Sequence, residues 1–280
     1  MQQFIRPEVN LTIPSTVELL EDLDYVGGGH ERQSLHLMLP KQMSDKPLPL
    51  IIYIHGGAWS HGTKDLQVER LLPFVESGEY AAAAINYRFT DEGIWPMQMD
   101  DCIQALTYLS DVADEHSLDR SRFALWGSSS GAHLAAMLGL QNQLNLKCVI
   151  NYCGPSHFVP VLEHEHLAEH GQADTPLGKL VGGAVWDFPD RVVELSPVCQ
   201  VHDQSPPMLL VHGTADEAVP YSQSIDLQAA YKEVDCEAYL VTLKDFGHKF
   251  QHDALEALVK DFFDCYLYNR RVDLKDLELR

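Results

Sequence analysis

The chain has 280 residues, 45% of them hydrophobic, which is ample for one large core. It carries 20 Lys+Arg against 41 Asp+Glu, a formal net charge of -21, and such a surface repels nucleic acid and anionic membranes, so neither is expected as a partner. No run approaches the ~18 uninterrupted apolar residues of a membrane-spanning helix, and the opening Met1-Gln2-Gln3-Phe4-Ile5-Arg6-Pro7 lacks the basic start and apolar stretch of a secretory signal; the expected location is cytoplasmic.

The predicted elements alternate. Asp22 to Val26 and Ser34 to Leu39 read as two strands around the turn Gly27-Gly28-Gly29. Leu50-Ile51-Ile52-Tyr53-Ile54 is a β-branched apolar run that suits a buried parallel strand. Asp65 to Gly78 has helical spacing, Ala81 to Tyr87 reads as a strand, and Pro96 to Val112 as a helix opened by proline. Arg122 to Trp126 is a strand, followed by the small-residue helix Ala132 to Leu138 and the strand Lys147 to Tyr152. Pro207 to His212 (strand), Tyr221 to Val234 (helix), Glu237 to Leu243 (strand) and Ala254 to Tyr268 (helix) complete the series, and Arg270 to Arg280 is expected to be a surface helix or a frayed tail. This pattern predicts an α/β fold in one domain over residues 1–280, a mostly parallel sheet with helices on both faces. Residues 156–197 break the alternation and hold His157, His164, His166 and His170; they are expected to form a lid or insertion over the active site.

The six cysteines, Cys102, Cys148, Cys153, Cys199, Cys236 and Cys265, have no paired CxxC spacing, so buried free thiols are expected rather than disulfides.

Between strand and helix stands Gly127-Ser128-Ser129-Ser130-Gly131, the context of a G-x-S-x-G nucleophile elbow. The alternative is an idle Ser-Gly turn, so the rest of the chain must decide. Acyl transfer by serine needs a base, an acid that orients the base, and donors for the oxyanion. In a sheet of this kind they follow in the chain order Ser, Asp or Glu, His. Asp216, in the loop after Pro207 to Gly213, is the candidate acid, with Glu217 as rival and a helix-capping Asp as the idle reading. His248, after the last apolar strand and a glycine, is the candidate base, ahead of His252, which is expected to fall inside the helix. The loop His55-Gly56-Gly57-Ala58-Trp59 follows a strand and offers closely spaced backbone N–H groups. Gly57, Ala58 and Ser130 are the candidate oxyanion donors, and Trp59 and Trp186 are candidate pocket walls. His133 is expected to pack under the elbow, and His55 to order the oxyanion loop. His166 and His170 are spaced for zinc, but a third ligand is not evident and a solvated lid helix is the better reading, so no metal and no cofactor are expected.

With these stations in order, the chain resembles the α/β-hydrolases of the esterase/lipase group with an HGGG-type oxyanion loop, most closely the branch of bacterial feruloyl and acetyl-xylan esterases. The resemblance rests on His55-Gly56-Gly57-Ala58-Trp59, Asn86-Tyr87-Arg88, Gly127 to Leu134, Gly213 to Pro220 and Gly247-His248. It implies a serine carboxylesterase acting on short-chain or aromatic acyl esters, acetyl or feruloyl esters of plant-derived carbohydrate among them, with a small-molecule ester as the partner. Ala58 replaces the third glycine of the HGGG pattern; its N–H survives while its methyl group narrows the pocket. The His-Gly-Gly-x-Trp loop is also similar to that of kynurenine formamidases, which keeps an arylformamidase or other amidase as the alternative. A non-catalytic hydrolase fold used for binding is the remote one. Acyl length and oligomeric state are left open.

Overall fold

The computed structural model of the protein describes residues 11–42, 46–141, 145–163 and 165–280, with the side chains of 165–167 also outside the description. The Met1 to Pro7 stretch and His164 lie outside the described residues.

The framework is a nine-stranded sheet in the order β1-β2-β4-β3-β5-β6-β7-β8-β9. Its strands are β1 (Val17–Asp24), β2 (Ser34–Pro40), β3 (Leu48–Ile54), β4 (Ala81–Ile85), β5 (Leu118–Ser128), β6 (Val149–Tyr152), β7 (Met208–Gly213), β8 (Ala238–Leu243) and β9 (Leu277–Leu279). Only β2 runs against its neighbours; from β4 through β9 every pairing is parallel. The helices are α1 (Val68–Glu76), α2 (Met97–Asp111), α3 (Ser130–Gly139), α4 (Pro160–Glu163), α5 (Pro176–Val181), α6 (Pro189–Glu194), α7 (Ser222–Glu233) and α8 (Ala254–Tyr268).

A strand covered on both faces needs apolar side chains at every position, and β3, β4 and β7 are buried throughout. Alternation splits each strand between two cores. Leu50, Ile52 and Ile54 face α2, α3 and α7, while Ile51 and Tyr53 face α1 and α8. The arrangement is the α/β-hydrolase fold. Among the described residues no helix is long and apolar enough to cross a membrane.

Two local expectations are corrected. The carboxyl-terminal run forms neither helix nor frayed end: Leu277–Leu279 pairs in parallel with β8. Leu277 and Leu279 pack toward the apolar face while Glu278 points to solvent, and Asp276 accepts the Leu240 N–H at 2.9 Å. Short period-two patterns that end in solvent read equally well as a charged tail, which is why the strand was hidden. The six cysteines are all free, but only Cys102, Cys148 and Cys153 are buried; Cys199 is exposed.

Parallel strands place their carboxyl ends along one edge, where ligands bind in such sheets. β3, β5, β7 and β8 deliver the Gly56-Gly57 loop, Ser129, Asp216 and His248 to that edge. Residues 156–197, between β6 and β7, form short helices and turns there, and His157, Phe158, Pro160, Val161 and Leu177 form part of the wall of the cavity next to Ser129.

Candidate active site

Ser129 directly follows β5 and caps α3 with φ 53° and ψ -124°, a conformation that L-residues avoid. Close packing holds it there. A Cβ on Gly127 would collide with the Gly131 backbone, and one on Gly131 would collide with the Ile54 and His55 carbonyls. Both glycines are therefore required by proximity, as an elbow demands. The Ser129 N–H donates to Tyr152 O at 2.8 Å, which ties the turn to β6.

His248 reaches back from the loop after β8. Its Nε2 lies 2.9 Å from Ser129 Oγ, and its Nδ1 lies 2.7 Å from Asp216 Oδ2. With Nδ1–H donated to the carboxylate, Nε2 is left to accept the serine proton. Asp216 is fully buried at its side chain, and Oδ1 accepts the N–H groups of Ala218 and Val219, each at 2.9 Å. It caps no helix, since α7 begins at Ser222. Glu217 points to solvent at the cavity rim. His252 stands ahead of α8 rather than inside it, accepting the Ala254 N–H at 3.1 Å.

The loop after β3 passes through three consecutive left-handed residues, Gly57 (φ 131°), Ala58 (φ 49°) and Trp59 (φ 54°). It lies against the elbow: a Cβ on Gly56 would come within 3.1 Å of Ser129 Cβ. Among the described residues the N–H groups of Gly57, Ala58 and Ser130 meet no protein acceptor, and all three residues line the cavity that holds Ser129. His55 donates Nδ1–H to Gly56 O at 2.8 Å and stacks on Tyr87, with ring centroids 4.6 Å apart. Burial pulls its pKa down to about 4, so the ring is neutral.

Trp59 and Trp186 part company. Trp59 is buried, lines the cavity, and donates its indole N–H to His133 Nδ1 at 3.2 Å. Trp186 is 41% exposed, is not part of the cavity wall, and stands near Gly171 on the outer side of the 156–197 segment. Its expected pocket role is corrected: the turn Val185–Asp187 buries Val185 and leaves the tryptophan outside.

Several residues have contacts at the site that the sequence did not indicate. His212, at the end of β7, donates Nε2–H to Val219 O at 2.9 Å with Asp216 Oδ2 3.2 Å away, while Nδ1 accepts from Ser224. Its place directly before Gly213 was the available signal. Tyr87 donates to His55 O at 3.1 Å. Cys153 sits below the Ser-His-Asp group, and ligand atoms of Cys153, Asp216 and His248 lie within 4.8 Å of one another. That cluster is a poor cation site. Burial drives the Cys153 thiol up to about 12, far from the thiolate that binds metal, and Asp216 already accepts from His248, Ala218 and Val219.

The cavity above Ser129 measures about 940 Å³ and its wall is mostly apolar, with Leu66, Phe158, Val161 and Leu177 contributing. A strained serine, a histidine in hydrogen-bond reach of it, a buried carboxylate and free N–H donors in one cleft are the parts that acyl transfer requires.

The sequence matches the BD-FAE family over residues 35–231. It is 26% identical over 238 residues to esterase LipC of Mycobacterium tuberculosis, covering 80% of this chain and 58% of that protein. It is 23% identical over 262 residues to a probable isoprenylcysteine alpha-carbonyl methylesterase of Arabidopsis thaliana, covering 85% and 60%. The chain thus spans 52% to 60% of the length of the curated relatives it matches first. Among solved structures, a truncated carbohydrate esterase from gut microbiota superposes with a TM-score of 0.79 at 25% identity, covering 90% of this chain and 96% of that one. Esterase B of Lactobacillus rhamnosis superposes at 0.78 with 20% identity over 93% and 90%, a likeness of fold.

Proposed function

The chain belongs to the BD-FAE family, and from that premise we propose that it is a serine carboxylesterase hydrolysing short-chain or aromatic acyl esters through an acyl-enzyme. The observation that carries this reading is the continuous hydrogen-bonded line from Ser129 Oγ through His248 to Asp216, at 2.9 and 2.7 Å, with the serine held at φ 53°. The names of the relatives support it, since the similar proteins and structure cited above are esterases. Acetyl and feruloyl esters of plant-derived carbohydrate are the favoured substrates, in keeping with the carbohydrate esterase from gut microbiota.

In this reading Ser129 attacks the ester carbonyl as His248 Nε2 takes its proton. Asp216 holds the histidine tautomer and stabilises the imidazolium. The tetrahedral oxyanion is received by the N–H groups of Gly57, Ala58 and Ser130. His248 then protonates the leaving alcohol, and water activated by the same nitrogen releases the acid. Residues 156–197 act as the lid, and Trp59 with Phe158 and Leu177 shapes the cavity beneath it.

The test is hydrolysis of p-nitrophenyl esters from acetate to laurate, with methyl ferulate and acetylated xylobiose alongside. Ser129→Ala and His248→Ala are each expected to lose at least ~10⁴-fold in kcat, and the double variant little more, because the group acts as a unit. Wild-type turnover by Ser129→Ala would sink the assignment. An N-formyl aromatic amine is the control for amide cleavage: preference for it over every ester would replace the esterase by an amidase.

A further inference from the structure

Arg70 stands out in the wall of the cavity that holds Ser129 and His248. It lies in the first turn of α1, exposed to solvent, with its guanidinium over three rings: 5.6 Å from Tyr53, 5.7 Å from Trp126 and 5.6 Å from Tyr152. One N–H donates to Tyr53 Oη at 3.0 Å. Among the described residues no carboxylate pairs with it, nor with Arg191, which donates to the Val181 carbonyl, nor with Arg271, whereas Arg32, Arg88, Arg120, Arg122, Arg270 and Arg280 each have one. Of the described arginines without an acid, only Arg70 lines the cavity that holds Ser129.

The charge of the wall adds a second observation. Its Lys, Arg, Asp and Glu members are Arg70, Lys249 and Glu217, so cations outnumber anions there, against the balance of the whole chain. A planar guanidinium clamped on aromatic faces keeps its remaining donors in a fixed fork, which matches a carboxylate in two-point contact. The same group has little to offer a neutral acetyl ester.

Within the short-chain and aromatic acyl esters of the proposed function, we propose that Arg70 is the receptor for a free carboxylate on the substrate, so that an anionic ester is preferred over its neutral counterpart of the same size. The inference rests on the reading of Ser129 as nucleophile. The carboxylate has two sources, the acid half (a hemiester of a dicarboxylic acid) or the alcohol half (an acylated hydroxy acid). Lys249, beside His248, adds to the attraction without the aromatic clamp.

The experiment compares kcat/KM for matched pairs, in wild type and in Arg70→Gln. One pair varies the acid half, 4-nitrophenyl hydrogen glutarate against 4-nitrophenyl valerate. The other varies the alcohol half, 4-acetoxybenzoate against its methyl ester. The anionic-to-neutral ratio is expected to fall by about 10- to 100-fold in Arg70→Gln for one pair, which identifies the half that carries the carboxylate. A fall of less than about fivefold in both pairs overturns the proposal. Arg70→Lys, which keeps the charge and loses the fork, is expected to recover only part of the ratio. Glutarate and benzoate binding, followed by tryptophan fluorescence, reads the subsite without turnover. Weaker binding of the preferred acid by tenfold or more in Arg70→Gln supports Arg70; if in addition neither protein hydrolyses any ester, the nucleophile reading fails while the subsite stands, and equal binding with normal turnover of neutral esters does the reverse.

Discussion

Trp59 donates its indole N–H to His133 Nδ1 at 3.2 Å, and His133 passes the link on by donating Nε2–H to Leu195 O at 2.8 Å. One buried histidine thus joins three parts of the site: the loop after β3, the helix behind Ser129 and the far end of the 156–197 segment. Because Nδ1 accepts and Nε2 donates, the ring must be neutral, and burial agrees by drawing its pKa down to about 4.

Replacing Trp59 by Phe keeps most of the packing and removes the donor. His133 Nδ1 is then left buried and unpaired, at a cost of about 1–3 kcal/mol. Urea unfolding is expected to show that loss, and kcat is expected to fall more than KM rises, because the loop proposed to receive the oxyanion loses its anchor. Unchanged stability and turnover would show the bond to be idle.

Gly57→Ala strikes the same loop from the backbone. At φ 131° an L-residue is strained, and the new Cβ would collide with the His61 carbonyl oxygen. The loop must shift, and with it the Gly57 and Ala58 N–H groups. A loss of ~10²–10³ in kcat is expected, the range seen when one oxyanion donor is removed. Near-normal kcat in a folded Gly57→Ala protein would remove this loop from the oxyanion hole.

His212 stands beside Asp216, its Nε2 3.2 Å from the same carboxylate oxygen, Oδ2, that His248 Nδ1 approaches at 2.7 Å. His212→Phe preserves the ring and abolishes both of its hydrogen bonds. We expect kcat to drop by at least about tenfold, a barrier change of ~1.4 kcal/mol, yet by less than the ~10⁴ that follows loss of the acid itself. Steady-state kinetics on His212→Phe and Asp216→Asn side by side give the comparison; equal losses would make His212 part of the reacting group.

Stability should depend on pH through the buried histidines. Burial pulls His55 and His133 down to about 4 in the folded protein, from the ordinary histidine value of about 6.5, and shifts His212 in the same direction. The unfolded chain therefore binds more protons between these values. The stabilisation is complete above about pH 6.5 and drains away as pH falls toward 4, at up to ~1.4 kcal/mol per pH unit for each group. Urea midpoints measured from pH 7 to pH 5 should decline, and His133→Gln should show a shallower slope. A flat profile in the wild type would contradict the neutral, buried state of these rings.

The elements of the fold were legible because each leaves a local mark. β-branched runs, helical spacing and turn glycines signal a parallel sheet in short windows, and Ala254–Tyr268 falls where the pattern puts it. The β9 edge strand escaped because three alternating residues carry too little pattern, and the short turns of 156–197 have no period to read. Ser129, Asp216 and His248 could be nominated because their chain order is imposed by the sheet.

By itself, then, the sequence determined the fold class, the order of the stations and the residue types that stand at them. Whether those side chains meet was decided only in three dimensions. Ser129 and His248 are 119 positions apart, and a 2.9 Å hydrogen bond between them depends on how the strands between them stack, not on any local signal. The same holds for Arg70, an ordinary surface arginine in the sequence. Tyr53, Trp126 and Tyr152 come from three different strands, and only parallel pairing in register gathers them beneath one guanidinium. Trp186 shows the converse: its residue type suited a pocket, and the burial of its neighbour Val185 turned it away.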